Sequence, residues 1–300
     1  MKRKFIPVLL CLVTAAIWGF AFVAQVQGTA YIKPFTLIGI RFLIGIIALA
    51  PAVLIFEKGR VSKEERKKTV VASLITGTIL FIASSLQQFG IQITASAGIS
   101  GFITGLYTVL VPIACLLFFK KKTGVNVWIG TAFAIVGLFF LCYKSGEGFS
   151  FGKGELLLLI GAFFWTAHVV TIDKLGKNVR SLHFAWGQFA VCALLGIVLM
   201  FVFEEPNITD IMSAKWSLLY CGVLSSGVAY TLQVVAQKRC DPTVAAIVFS
   251  TESMFSAIGG VIFKIDSIAM LGYCGCALMF AGIVVSQIEF KRRKKKLSLE

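Results

Sequence analysis

An all-α integral membrane protein is the fold class that the sequence predicts, with ten transmembrane helices arranged as two inverted-topology five-helix repeats. Three observations predict it. The chain of 300 residues is 58% hydrophobic and only 14% charged, too little polar surface to clothe soluble domains in water. Ten apolar stretches are long enough to cross about 30 Å of hydrocarbon as helices. A shift of about 147 residues, drifting to 145, superposes one half on the other in order.

The spans run at 5–25, 34–56, 69–91, 97–119, 125–143, 154–172, 182–203, 215–237, 243–264 and 268–289. Nothing alternates with the period of a barrel strand, and backbone groups in lipid must bond within their own segment, so helices are the answer. The first span follows Lys2-Arg-Lys4. It is long for a cleaved signal peptide and has an internal counterpart, so it is read as retained. Trp18 meets Trp165 under the shift, and Phe42 meets Phe189 with Arg41 opposite Gln188. Leu86-Gln87 meets Leu232-Gln233, and Gly130 and Gly137 meet Gly275 and Gly282. Five spans per repeat is odd, so the second half enters the membrane upside down, as in many secondary transporters. The predicted organisation is a first repeat at 1–143, an external linker at 144–153, a second repeat at 154–290 and a polybasic tail at 291–300.

Charge sets the orientation. With the N-terminus cytoplasmic, 23 of the 29 basic residues face the cytoplasm, five face outward and one, Arg41, lies within a span. Both termini are therefore expected on the cytoplasmic side of the cell membrane. The formal net charge of +15 does not imply nucleic acid, because Lys291-Arg-Arg-Lys-Lys-Lys296 directly follows the last span and suits anionic lipid headgroups. The eight cysteines lie within or beside spans without metal or redox spacing. No cofactor or metal is expected, and no nucleotide-binding Gly-Lys-Ser/Thr motif supports an ATP-driven pump.

Polar residues inside a bilayer are costly and usually face protein or water. They recur at helical spacing on six spans. These include Thr14, Trp18 and Gln25 on the first, Ser84, Ser85, Gln87 and Gln88 on the third, and Thr104, Tyr107 and Thr108 on the fourth. The second half has Trp165 and His168 on the sixth, Ser226, Tyr230, Gln233 and Gln237 on the eighth, and Thr251, Glu252, Ser253 and Ser256 on the ninth. A central cavity among these spans is the expectation. The fifth and tenth spans are nearly bare of polar groups, which makes them lipid-facing or the face of a homodimer. Ala97, Gly101 and Gly105 repeat every four residues, a close-packing surface between helices.

The candidate substrate-binding set is Trp18, Gln87, Gln88, Tyr107, Trp165, His168, Tyr230, Gln233, Gln237 and Glu252. Aromatic walls with one carboxylate suit an amino acid or an organic amine, and the glutamines supply orienting hydrogen bonds. Glu252 is the only carboxylate deep within a span, so it is also the candidate for proton coupling. Arg41 is read as a brace or a snorkelling side chain. The rival from another class is a membrane-embedded enzyme. Gly98-Ile-Ser-Gly101 has the form of an intramembrane serine protease motif, with Ser100 as nucleophile and His168 as base.

These residues resemble a known family, the ten-helix EamA-type members of the drug/metabolite transporter superfamily. Trp18-Gly19 with Phe22-Val23, Pro34 with Arg41-Phe42, and Thr94-Ala-Ser96 through Phe102-Ile103 to Pro112 are similar to its first repeat. Trp165, Gln237-Lys238 with Asp241-Pro242, Glu252, and Gly275 with Gly282 are similar to its second. The chain departs where the family often has Glu-Pro, here Glu252-Ser253, and where a second glutamate follows the ninth span, here Asp266. The resemblance implies alternating-access movement of a small metabolite, often export.

Overall fold

The computed structural model describes residues 2–59, 61–120, 124–142, 152–266 and 270–287, and no β-strand occurs among them. Most of the expected linker at 144–153 and all of the basic tail at 291–300 lie outside the described residues. The first half comprises α1 (Lys2–Gly28), α2 (Pro34–Phe56), α3 (Lys63–Thr94), α4 (Ala97–Gly105), α5 (Tyr107–Phe119) and α6 (Val125–Cys142). The second comprises α7 (Lys153–Leu175), α8 (Ser181–Phe203), α9 (Ile208–Ser213) and α10 (Lys215–Leu219). A π-helical segment, Tyr220–Tyr230, then leads into α11 (Thr231–Gln237), α12 (Pro242–Phe249), α13 (Glu252–Ile262) and α14 (Met270–Gln287).

Among the described residues, eight helical segments are long and apolar enough to cross a membrane. Two shorter apolar stretches, Val125–Gly137 and Tyr273–Gly282, lie in α6 and α14. The surface is the reverse of a soluble protein's. Leu54, Phe118, Leu194 and Phe201 are 64% to 78% exposed, while Thr14, Arg41, Gln88, His168 and Gln233 are buried. Such an arrangement is stable only when the surrounding solvent is hydrocarbon.

Local chemistry sets the helix ends. The third helix starts six residues before its expected span because Ser62 caps it, its hydroxyl accepting from the Glu65 N–H at 3.1 Å. Pro34 and Pro242 stand at first helical positions, where a missing N–H costs nothing. The segments Ala97–Phe119 and Pro242–Ile262 are each interrupted in mid-course, at Leu106 and at Ser250-Thr251. The backbone there tightens to i→i−3 bonds, Leu106 N to the Ile103 carbonyl and Thr251 N to the Val248 carbonyl, both at 3.2 Å. Ser250 and Thr251 also turn their hydroxyls back onto the carbonyls of Ile247 and Val248, which bends a helix.

Contacts between the halves come in reciprocal pairs. The carboxylate of Glu57, after α2, accepts from the Leu182 and His183 N–H groups that open α8, both at 3.0 Å. The carboxylate of Glu204, after α8, accepts from the Phe35 and Thr36 N–H groups that open α2, at 2.8 and 2.7 Å. The two helices therefore run antiparallel, each capped by the carboxylate that ends the other. A side chain completes each cap, His183 Nδ1 at 2.6 Å from Glu57 Oε2 and the Thr36 hydroxyl at 2.7 Å from Glu204 Oε2. Between these ends Phe42 and Phe189 meet with ring centroids 5.7 Å apart.

The polar-poor helices α6 and α14 pack on each other, so one face of each is covered within the chain. Their crossing uses the four glycines that the repeat aligns. A Cβ on Gly137 would lie 2.6 Å from the Gly275 carbonyl oxygen, and one on Gly282 would lie 2.7 Å from that of Gly130. Only hydrogen at these positions allows so close an approach. The small-residue face of α4 likewise seats α13. Ser253 donates to the Gly101 carbonyl at 2.5 Å and Ser256 to that of Ala97 at 2.6 Å.

Candidate functional site

A buried cavity lies among the helices where the two interrupted segments break. Tyr107 is the first residue of α5 and Glu252 the first of α13, so both breaks present a polar side chain to the same space. Trp18, Ala21, Phe22 and Gln25 come from α1, Arg41 from α2, Gln87 from α3 and Thr104 from α4. The other wall is Trp165 and Val169 of α7, Ser225 and Tyr230 of the π segment, and Gln233 of α11.

Seven of the ten predicted site residues thus meet around one cavity: Trp18, Gln87, Tyr107, Trp165, Tyr230, Gln233 and Glu252. His168, Gln88 and Gln237 do not line it. His168 stands edge-on behind Trp165 and Tyr230, 5.7 and 6.1 Å away, with Nε2 3.1 Å from Gln188 Oε1. Gln237 donates to the Val169 carbonyl at 3.3 Å, and Gln88 is fully buried with neither amide atom partnered. The nucleophile-and-base pairing is not formed. The Ser100 hydroxyl lies 3.0 Å from that of Thr94 inside the α4 packing face, and His168 bonds Gln188 instead. A hydrolytic pair needs the two in hydrogen-bond reach, so the enzyme alternative is not supported.

Rings form the cavity's sides. Trp18 and Tyr230 are 4.8 Å apart between centroids, Trp165 stacks on Tyr230 at 6.2 Å, and Phe42 and Phe189 back the same tyrosine at 5.9 Å each. Trp18 is pinned by its indole N–H, which donates to the Ser225 carbonyl at 3.3 Å. Gln87 is pinned by donating to the Thr104 hydroxyl at 3.2 Å.

The polar groups between the rings are poorly matched to each other. Arg41 Nε, Trp165 Nε1 and Gln233 Oε1 are buried and have no hydrogen-bond partner in the protein, while the Tyr107 hydroxyl and the Glu252 carboxyl face each other. More than nine in ten buried polar groups in folded proteins do have one, so orphans from α2, α7 and α11 at one space leave it polar capacity that a bound molecule can meet. The enclosed volume is about 30 Å³, room for about two water molecules. A metabolite enters only when the walls part.

Sequence reasoning undervalued Arg41. It is 2% exposed, so it does not snorkel; its Nη1 donates to Gln25 Oε1 at 3.0 Å and its guanidinium lines the cavity. Position along a span gives depth and not direction, which is why it read as a brace. Ser225 was missed for a related reason. Counting by α-helical turns selects Ser226, but the wider turn of the π segment shifts the register. Ser226 faces Gly45 of α2, leaving Ser225 on the cavity.

Comparison with known proteins places this architecture. The model of the EamA-like transporter family matches twice, over residues 5–143 and 152–287. The uncharacterized transporter YoaV of Bacillus subtilis is 25% identical over 93% of this chain and 95% of its own. An uncharacterized transporter of Archaeoglobus fulgidus is 28% identical over 95% of this chain and 86% of its own. A chain of known crystal structure matches the fold with a TM-score of 0.76 at 18% identity, covering 94% of this chain and 96% of that one.

Proposed function

Since the chain belongs to the EamA-like transporter family and is a multi-pass membrane transporter, we propose that it is a secondary carrier moving an amino acid or organic amine by alternating access, in the direction of export. The observation that carries this reading is the cavity itself, buried, ringed by aromatics, with Tyr107 and Glu252 at two helix breaks and three unpartnered polar atoms around it. Discontinuous helices at a midplane site are what alternating access uses elsewhere.

The reading includes ten spans in two inverted repeats. The reciprocal caps of Glu57 and Glu204, the reciprocal glycine crossings of α6 and α14 and the two separate family matches support it. Two halves related in this way rock about the cavity and open it to one side at a time. The basic residues favour the cell membrane with both termini cytoplasmic, and the tail then lies against anionic lipid. Glu252 is the proposed proton-coupling residue.

The test is the purified protein in liposomes, offered amino acids and amines while a pH-sensitive dye reports proton movement, for wild type and Glu252→Gln. Substrate-dependent proton flux that the variant loses while exchange of cargo persists, at reduced affinity, is the expected result. Transport and coupling unchanged in Glu252→Gln would make Glu252 structural and overturn the coupling assignment.

A further inference from the structure

We propose that Arg41 is the anion-binding residue of the cargo site, so that the cargo is a zwitterion: its carboxylate meets Arg41 and its ammonium meets Glu252. This rests on the carrier reading and narrows it from amino acid or amine to amino acid alone.

Arg41 and Glu252 are 2% and 4% exposed and line the same cavity, yet no ion pair joins them. Among the described residues neither makes a salt bridge with any other group. Arg41 has one hydrogen-bond partner, Gln25, whose own amide is held by the Ala21 carbonyl at 3.1 Å; its guanidinium lies over the Phe42 ring at 4.7 Å, and its Nε–H has no acceptor. Glu252 has only the Tyr107 hydroxyl beside its carboxyl and no cation among the described residues. A buried guanidinium without a counter-charge is among the most costly groups in a protein. A bracing pair would be resolved by direct contact. Here the Arg41 guanidinium and the Glu252 carboxyl line one space, so a ligand carrying both signs meets both at once.

The residue types match that task. The planar guanidinium offers parallel N–H groups that suit a carboxylate. Trp18, Tyr107, Trp165 and Tyr230 surround the space between, where an ammonium gains from ring faces and an apolar side chain gains from burial. An amine leaves Arg41 unmatched on binding, and a simple carboxylic acid leaves Glu252 unmatched.

The experiment is counterflow in liposomes with each of the twenty L-amino acids. For those moved, the matching decarboxylated amine and deaminated acid then serve as competitors. Wild type should take the amino acid at least tenfold better than either relative. Arg41→Gln should abolish the preference over the amine, and Arg41→Lys should restore part of it. If the amine competes as well as the amino acid, or if Arg41→Gln weakens both equally, Arg41 is a structural residue. Should Arg41→Gln fail to fold, the wild-type competition series decides alone. Amines moved while no amino acid is moved would sink the zwitterion and leave the carrier reading standing; no movement of any compound would sink both.

Discussion

Replacing Glu204 by glutamine tests the reciprocal capping of α2 and α8 directly. Its carboxylate receives the Phe35 N–H at 2.8 Å on one oxygen, and the Thr36 N–H and hydroxyl, both at 2.7 Å, on the other. Glutamine keeps one acceptor oxygen and turns an NH₂ donor towards an N–H donor, so one buried backbone donor goes unmet. That loss is worth about 1–2 kcal/mol. Removing a negative charge from a helix N-terminus adds about 0.3–1 kcal/mol. The sum, about 1.3–3 kcal/mol, corresponds to a fall of roughly 2–5 °C in melting temperature for a chain of this size. Purified protein in detergent, followed by tryptophan fluorescence on heating, measures it. Glu205→Gln, at the adjacent exposed position, should leave the melt unchanged. A Glu204→Gln protein that melts within about 1 °C of wild type would refute the reasoning, because a cap worth that little cannot hold two helix ends together.

At the other cap, burial favours protonation of Glu57, but the N–H groups of Leu182 and His183 and the His183 ring outweigh it and hold its carboxyl below the usual carboxylate range. Its contribution to stability is thus present above the unfolded value of about 4.3 and fades as pH falls through the lower folded value. Melting of wild type should therefore drop more steeply below pH of about 4.3 than that of Glu57→Gln. Gly137→Val forces a side chain into the Gly275 carbonyl at 2.6 Å and should cost about 1–3 kcal/mol in detergent melts. Gly161→Ala, whose nearest contact would be 3.5 Å, should be neutral or stabilising. Tyr107→Phe removes the hydroxyl that faces the Glu252 carboxyl; its melt should fall by no more than the worth of one hydrogen bond, about 1 kcal/mol, while cargo affinity in exchange assays falls several-fold.

The long apolar runs were plain in the sequence because span length and charge exclusion are one-dimensional quantities. The polar residues at helical spacing were legible too, and Trp18, Tyr107, Trp165 and Glu252 do line one cavity. What could not be read was direction around a helix axis. His168 and Gln237 lie on polar faces of the right spans but behind the wall, and Arg41 was judged by depth alone. The break at Leu106 carries no proline, and the π turn leaves no compositional trace, so the register of Ser225 was hidden. The caps were within reach. Glu57 and Glu204 stand 147 residues apart, the same offset that aligns Phe42 with Phe189.

The Glu204 cap also sets a timetable for biogenesis. The N–H group of Thr36 waits for an acceptor 168 residues further along the chain. At ribosomal speeds of about 5–20 residues per second, that wait is roughly 10–30 s. During it the second helix is already made, with its first turn open at one end. A translocon or an insertion chaperone therefore meets the first half as an unfinished object, and anything that slows synthesis of residues 143–203 lengthens the time that half must be sheltered.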